Sequence, residues 1–213
     1  VNLAVNKTAL IEKVLGGLAV PSATVVSPFH LGYSSAGVQP WPYDPAQARA
    51  LLAQCEGADQ VCVLRTPLTM PHKSLEISRW VQRDLEAVGL HVQLEVQKDR
   101  PEYAREIGRK QMGDLAIFDS SPHSTYRILN DKISSQTQAV WWQGYTDSVM
   151  EDLISRANHA VTSFARERAY GECLRHLHYH PPWLYVCHPI EVLGLRLGVK
   201  GLQLDPKGVI QII

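Results

Sequence analysis

The chain has 213 residues, and its 21 Lys and Arg residues balance its 21 Asp and Glu residues, so its formal net charge at pH 7 is zero. Hydrophobic residues make up 45% of the chain and charged residues 20%, which is typical of a globular protein with a sizeable core. Zero net charge argues against a dedicated nucleic-acid or anionic-membrane binder, because either needs a concentrated basic surface. No apolar run approaches the roughly 20 residues that cross a bilayer, so we expect no membrane-spanning segment.

The first regular element is a helix predicted at residues 7–15, where apolar side chains recur on one face. Asn6 is a suitable N-cap, and Gly16 readily adopts the left-handed conformation that ends helices. Residues 20–43 follow without a clear hydrophobic period and are predicted to form a long ordered loop. Loops of this length often carry function.

The middle third of the chain alternates between hydrophobic periods of about 3.6 and 2 residues, the pattern of alternating helices and strands. A helix is predicted to begin at Pro45, with Asp44 as its N-cap. Strands are then predicted at residues 61–65, 91–96 and 115–118, with helices at 73–88 and 101–110 between them. Strands joined by helices pair in parallel through right-handed crossovers. The fold class is therefore predicted to be α/β, with a mainly parallel sheet flanked by helices.

The last third of the chain is expected to combine two helices with short strands. Apolar stripes predict the helices at residues 148–161 and 163–178. Late strands are predicted at residues 183–187 and 192–197, and residues 201–213 have strand character as well.

Four cysteines, Cys55, Cys62, Cys173 and Cys187, are too few for a disulfide scaffold in a chain of this size. No Cys-x-x-Cys pair is present, so a zinc ribbon or a thioredoxin-like site has no support. A Cys55–Cys62 disulfide is sterically possible if the two Cα atoms come within about 7 Å of each other. The alternative, two reduced thiols, stays open.

Catalytic motifs such as the nucleophile elbow, the P-loop and the zinc-protease helix are absent from the sequence. Helical side chains two positions apart point away from each other, so His176, His178 and His180 are expected to be solvated rather than to hold a metal ion. Cys187 and His188 are neighbours on a predicted strand and point to opposite faces, which argues against a nucleophile and its base. The sequence predicts no catalytic residue, no metal site and no cofactor.

Polar and aromatic side chains follow the last strand of the predicted parallel sheet. Phe118, Asp119 and Ser120 lie where that strand ends, and α/β proteins bind ligands outside the carboxyl ends of such strands. An aromatic ring, a carboxylate and hydroxyls there could hold a polar or cationic ligand. The alternative is an ordinary turn, in which Asp119 and Ser120 bond to local backbone amides.

Trp142 and Tyr145 are a second candidate, because they belong to a run of large aromatic residues in a segment without a clear period. Such rings either offer a stacking surface to a ligand or fill the core. The sequence leaves both alternatives open.

Six motifs resemble, in the same order, those of family 5 extracellular solute-binding proteins, the peptide, nickel and oligopeptide receptors of ABC importers. They are NKTALIEKVLGG at residues 6–17, PYDPAQARALL at 42–52, WVQRDLEAVGLHV at 80–92, GDLA at 113–116, GYTDSVMEDLISRA at 144–157 and VKGL at 199–202. Together they extend over nearly the whole chain.

This resemblance implies a periplasmic-binding-protein-like fold in which the ligand is enclosed between two lobes. Residues 1–198 would form the second lobe, and residues 199–213 would return toward a first lobe that lies N-terminal to this chain. The resemblance thus implies that the chain is one lobe of a larger protein.

The same resemblance places the two candidate groups in the cleft. Phe118, Asp119 and Ser120 would face the ligand, as would Trp142 and Tyr145. In peptide-binding relatives an acidic group near this strand end meets the amino terminus of the ligand, and Asp119 is the nearest candidate here.

Two functions agree with such a fold. The first is the ligand-binding lobe of a solute-binding protein that delivers a small solute, such as a peptide, to an ABC permease at the periplasmic or extracellular face of the cytoplasmic membrane. The alternative is the ligand-sensing domain of a cytoplasmic transcriptional regulator. The chain begins at Val1 without an initiator Met or a signal peptide, and we expect the preceding residues to decide between the two. An enzyme would need His123 or His188 within hydrogen-bond reach of a nucleophile.

Overall fold

The structure, a computed structural model, describes residues 1–56, 60–120, 123–205 and 209–212. Its helices are α1 (Lys7–Leu15), α2 (Tyr33–Ala36), α3 (Pro45–Leu52), α4 (Ser74–Glu86), α5 (Arg100–Gly108), α6 (Thr125–Ile128), α7 (Ser148–His159) and α8 (Ser163–Tyr179), with a π-helical turn at Leu129–Ile133. Its strands are β1 (Ala19–Pro21), β2 (Val61–Pro67), β3 (His91–Gln97), β4 (Leu115–Ala116), β5 (Cys187–Pro189), β6 (Leu202–Leu204) and β7 (Ile210–Ile212). Within these ranges no helix has the length and apolar character needed to cross a membrane.

A parallel sheet with the strand order β3-β2-β4 confirms the predicted α/β fold. β2 pairs with β3 along its whole length and with β4 at Leu64 and Arg65. β3 therefore lies on one side of β2, and β4, which comes next in the chain, lies on the other side of β2. The carboxyl ends of β2 and β4 flank the point where the strand order reverses, which is where open α/β sheets bind ligands.

Two large apolar cores hold the elements together. One contains Leu10 of α1 and Leu85 of α4, packed with residues of the sheet. The other joins α7 and α8 through Met150 and Leu174, together with the π-helical turn. All four of these side chains are fully buried, and burial of each contributes roughly 1.5–3 kcal/mol.

Polar side chains cap the helices at the starts that the sequence predicts. Asn6 accepts a hydrogen bond from the amide of Ala9 at 3.0 Å, and Asp44 accepts one from the amide of Gln47 at 2.8 Å. At the other end of α1, Gly16 has a φ of 63°, in the left-handed region. Each cap contributes about 1 kcal/mol.

The irregular segments differ from the predictions. The predicted loop at residues 20–43 contains α2, and its first residues belong to β1, which pairs with β5.

The strand predicted at residues 183–187 is wrong, since β5 begins only at Cys187. Residues 192–197 form no strand, and Leu197 there is fully exposed. An alternating pattern makes a strand only beside a partner, and the described residues offer none there.

In the segment at residues 201–213, the described parts have the predicted strand character, while residues 206–208 and 213 lie outside the described residues. Its two strands, β6 and β7, form an antiparallel hairpin. In the described part of the chain this hairpin pairs with no other strand, and Ile210 and Ile212 are 55% and 87% exposed.

The expectation of solvated histidines at the end of α8 is wrong for His178, which is 6% exposed. Its Nδ1–H donates to the Ala23 carbonyl at 2.9 Å, and its ring stacks on Trp41 with the centroids 4.8 Å apart. His178 lies four residues after Leu174 and therefore shares the buried face of α8. Across the described ranges, no group of three or more His, Cys, Asp or Glu residues is placed to hold a metal ion.

All four cysteines are free thiols. Of the two alternatives for Cys55 and Cys62, the structure therefore contains the reduced one. Burial raises the pKa of Cys173 to about 12 and that of Cys187 to about 11. Neither thiol is an activated nucleophile at neutral pH, since the thiolate is the reactive form.

Candidate functional site

The carboxyl edge of the parallel sheet gathers the segments that follow its strands. Residues 68–74 follow β2 and, with Glu76 and Arg100, line an open depression of about 600 Å³. His72 and Lys73 in this segment have φ angles of 62° and 58°, which non-glycine residues rarely adopt. The carboxyl edge of the sheet therefore contains an open depression.

Phe118, Asp119 and Ser120 follow β4 at the same edge. The amide of Ile117 donates to the Arg65 carbonyl at 3.0 Å, which extends the pairing with β2 one residue beyond β4. Phe118 and Ser120 are half-buried, whereas Asp119 is exposed. The three residues therefore lie at the reversal point of the strand order.

The ring of Phe118 is held between two sets of neighbours. It packs against a small buried cluster that includes Tyr103 and Met112. On another side it meets Trp183 edge-on, with the centroids 5.3 Å apart and the planes at 87°. These contacts fix the start of the segment, so Asp119 and Ser120 have a defined position at the edge.

Lys132, in the π-helical turn, reaches the same segment. Its Nζ donates to Ser120 Oγ at 2.9 Å and lies 5.1 Å from the centre of the Phe118 ring. Burial lowers the pKa of Lys132, while the nearby carboxylates of Asp119 and Asp131 act in the opposite direction. Sequence reasoning missed Lys132, because no hydrophobic period in this region indicates a helical turn.

Trp142 and Tyr145 belong to a separate, hydrogen-bonded loop. Trp142 Nε1 donates to the Tyr145 carbonyl at 2.7 Å, and the Tyr145 hydroxyl donates to Asp147 Oδ2 at 3.0 Å. Burial, and then the hydrogen bond to Asp147, raise the pKa of Tyr145 well above its ordinary value. The polar groups of both rings are thus used within the loop, which leaves their apolar faces to other contacts.

The structure brings Phe118, Asp119 and Ser120 together, but it does not join them to Trp142 and Tyr145. Within the described residues, no ring contact or hydrogen bond connects the two groups. Trp183, which sequence reasoning did not single out, contacts Phe118 and packs on the same apolar core as Tyr145.

A serine–histidine contact joins β5 to the residue that follows β1. His188 Nε2 and Ser22 Oγ are 3.0 Å apart, and the Ser22 hydroxyl donates to the Thr24 carbonyl at 2.8 Å. Ser22 is 4% exposed. Burial, and then the neighbouring His30, lower the pKa of His188. Because the hydroxyl is buried and its proton is held by a carbonyl, the pair links two strands rather than presenting an activated nucleophile.

The parallel strand order and the flanking helices form an α/β fold that matches solved periplasmic binding proteins. The chain belongs to the bacterial extracellular solute-binding proteins, family 5, whose middle-region model matches residues 1–137.

Relatives with curated names agree with this assignment. The chain is 25% identical to di/tripeptide-binding protein 2 of Pseudomonas aeruginosa, in an alignment that covers 94% of this chain and 38% of that protein. It is 26% identical to the dipeptide-binding protein of Escherichia coli, covering 96% of this chain and 39% of that protein. The chain therefore spans about two fifths of the length of these relatives.

Solved structures show the same fold. The periplasmic binding protein DppA from Helicobacter pylori, in complex with the peptide STSA, matches with a TM-score of 0.77 at 22% identity, covering 88% of this chain and 37% of that one. HbpA2 from Haemophilus parasuis matches with a TM-score of 0.83 at 16% identity, covering 100% of this chain and 44% of that one. The relatives favour the solute-binding interpretation over the regulator alternative.

Proposed function

We propose that this chain is the ligand-binding lobe of a solute-binding protein that delivers short peptides to the permease of an ABC importer. The observation that carries the proposal is the position of Phe118, Asp119 and Ser120 at the reversal point of the parallel sheet, in a member of family 5. Peptides are favoured as the solute class because the relatives above are named for binding them.

Each residue of the strand-end segment has a role that its environment suggests. Asp119, as an exposed carboxylate, receives the ammonium group of the ligand. Ser120 accepts a hydrogen bond from Lys132, so its own proton is available to a ligand carbonyl. The half-buried ring of Phe118 offers apolar contact.

The aromatic loop adds a second surface to this site. Trp142 and Tyr145 use their polar groups within the loop, so they contribute ring faces rather than hydrogen bonds. Closure of the first lobe over this one would bring these faces and the strand-end segment onto one ligand.

The lobe proposal assigns residues 1–198 to the ligand-binding lobe and residues 199–213 to a segment that returns to a first lobe. The exposed apolar side chains before and within the hairpin support this arrangement, notably Leu197 and Ile212. A neighbouring lobe would remove that surface from water, at about 25 cal/mol per Å² of apolar area. Closure of the two lobes around the ligand would then provide the signal that the permease recognises.

The proposal places the protein at the periplasmic or extracellular face of the cytoplasmic membrane, in agreement with the name of its family. It includes no catalysis, no cofactor and no contact of this segment with nucleic acid. The buried arrangement of Ser22 and His188 supports the absence of a catalytic role for that pair.

Isothermal titration calorimetry on the natural full-length protein tests the function. The panel contains dipeptides and tripeptides, together with sugars and a nickel–histidine complex. We expect saturable binding of peptides, which Asp119→Asn weakens about tenfold or more, because a charge-assisted contact is lost. The matched control, Asp152→Asn, removes an exposed carboxylate from α7 and should leave the affinity unchanged.

Two other outcomes of the titrations would contradict different parts of the proposal. Binding of a sugar or of nickel without peptide binding would contradict the solute class, and a protein that binds none of them would contradict the function. The 213-residue chain alone should bind the same peptides more weakly, because it supplies only one side of the enclosing surface.

A further inference from the structure

Trp183 contacts one group of candidate site residues and shares an apolar core with the other. Its ring meets the ring of Phe118 edge-on, with the centroids 5.3 Å apart, and it packs on the same core as Tyr145. Edge-to-face pairs of this kind hold both rings in a defined orientation. The half-buried rings of Trp183 and Phe118 therefore form one apolar surface beside the end of β4.

The backbone at Trp183 is held in place by a side chain from the start of the chain. Asn2 Nδ2 donates to the Trp183 carbonyl at 2.8 Å, and Asn2 Oδ1 accepts from the amide of Tyr185 at 3.1 Å. Tyr185 is buried, and its hydroxyl donates to the Leu177 carbonyl of α8 at 2.8 Å. The indole thus belongs to an ordered segment, so little conformational entropy is lost when a ligand packs on it.

The indole N–H of Trp183 is accessible, in contrast to those of two other tryptophans. Trp41 and Trp142 donate to backbone carbonyls at 3.2 and 2.7 Å. Among the described residues, no acceptor takes the N–H of Trp183, and this nitrogen is not one of the buried polar atoms that lack a partner. The donor therefore faces solvent. A tryptophan with a packed apolar body and an accessible N–H is typical of the side chains that dominate binding surfaces.

We propose that Trp183 is a specificity-determining residue of the ligand site, whose indole packs against a large apolar side chain of the bound peptide. The site then prefers peptides that carry such a side chain. This inference rests on the proposed function and extends it to the class of peptide. A phenyl ring packed on an indole buries more apolar area than a methyl group does, and it adds the ring–ring interaction.

The test compares three dipeptides that have the same charged termini and differ in a phenyl ring. The natural full-length protein is titrated with Ala-Ala, Phe-Ala and Ala-Phe in a calorimeter. Trp183→Leu keeps an apolar side chain on the core but removes the ring, and Trp183→Phe restores a ring. Trp80→Leu is the matched control, since Trp80 is also half-buried but packs on the other large core, from α4.

We expect the wild type to bind at least one of the phenylalanine dipeptides about tenfold more tightly than Ala-Ala. Trp183→Leu should lose this preference, by weakening binding of the phenylalanine dipeptide and leaving that of Ala-Ala unchanged. Trp183→Phe should recover part of the preference, because a ring is present again. Trp80→Leu should keep all of it.

A wild type that binds the three dipeptides equally tightly would overturn the inference and leave the proposed function intact, and this result needs no variant. Equal weakening of all three dipeptides by Trp183→Leu would show that the residue only supports Phe118, and would overturn the inference as well. Loss of the preference in Trp80→Leu would trace the effect to a general loss of packing, with the same consequence. If no peptide binds to the wild type, the inference and the proposed function both fail.

Discussion

His176 Nε2 lies 2.8 Å from Oδ2 of Asp147 and links the last turn of α8 to the start of α7. Asp147 also accepts hydrogen bonds from the amide of Met150 and from the hydroxyl of Tyr145. Burial by itself would raise the pKa of Asp147, but these hydrogen bonds, led by that of His176, outweigh it and lower the pKa to about 2. One carboxylate thus holds two helices and the aromatic loop in place.

The Asp147 carboxylate should make stability depend on pH in the acid range. Its pKa in the folded state is about 2, below the ordinary 3.8, so its contribution is present above about pH 4 and is lost as the pH falls toward 2. Asp147→Asn keeps a capping side chain but removes the charge, and it should lower the free energy of unfolding by about 1–2 kcal/mol at about pH 6.

Urea denaturation of the wild type and the variant between about pH 6 and pH 2 measures this effect. The two unfolding free energies should converge toward the acid end of the range. Asp152→Asn, at an exposed position of the same helix, is the control and should show no such convergence. A difference for Asp147→Asn that stays constant with pH would contradict the assignment.

Lys7 should destabilise the fold at neutral pH. It is 3% exposed, and its Nζ donates to the neutral Oδ1 of Asn2 at 3.4 Å. Burial lowers the pKa of Lys7 from 10.5 to about 8, so the cost of its charge is present below about pH 8 and disappears as the pH rises toward 10.5. Lys7→Met should therefore raise the free energy of unfolding by about 1–3 kcal/mol at about pH 7.

The gain from Lys7→Met should shrink between about pH 8 and pH 10, as followed by urea denaturation at each pH. Lys13→Met, at an exposed position of the same helix, is the control and should change stability by less than about 0.5 kcal/mol. A loss of stability at neutral pH in Lys7→Met would contradict the prediction.

His178 should be a core residue rather than a replaceable surface histidine. His178→Phe fills a similar space but leaves the Ala23 carbonyl without its donor, so the free energy of unfolding should fall by about 1–3 kcal/mol. His180→Phe, two residues further on at an exposed position, should change it by no more than about 0.5 kcal/mol. Equal effects of the two substitutions in chemical denaturation would show that the buried hydrogen bond has no role.

Gly171 should be required for the close approach of α2 to α8. A Cβ atom there would lie 2.7 Å from the Cβ of Ser35 and 2.9 Å from its carbonyl carbon, closer than packed atoms tolerate. Gly171→Ala should therefore lower the thermal midpoint and cost about 1–3 kcal/mol. Gly194→Ala, where a Cβ would meet no atom within 4 Å, is the matched control and should have little effect. A neutral Gly171→Ala would contradict the close packing.

The sequence predicts those elements that depend on residues close together in the chain. The caps at Asn6 and Asp44 bond to amides only three residues away, so the helix starts could be predicted. The helices between successive strands require parallel pairing, so the pairing of β2 with β3 could be predicted as well. Residues 192–197 have an alternating pattern, but the described ranges contain no strand that pairs with them, and a local pattern cannot indicate whether a partner strand is present. The same reasoning explains why the sequence could suggest the α/β class but not every strand in it.

The features of the core and of the candidate site that escaped prediction depend on distant contacts. His178 is buried against Trp41, which lies 137 positions earlier in the chain. Lys132 reaches Ser120 only because a π-helical turn intervenes, and sequence periodicity does not indicate such a turn. The strand-end position of Phe118 followed from the local pattern, whereas its contact with Trp183 did not.

A crystal structure of the natural full-length protein with a bound dipeptide or tripeptide tests most directly whether the carboxyl edge of the sheet is the ligand site. We expect the peptide to lie within hydrogen-bond distance of Asp119 and Ser120, in contact with Phe118 and enclosed between this lobe and the first lobe. A peptide bound at another surface, with these three residues facing solvent, would contradict the proposed function of this edge.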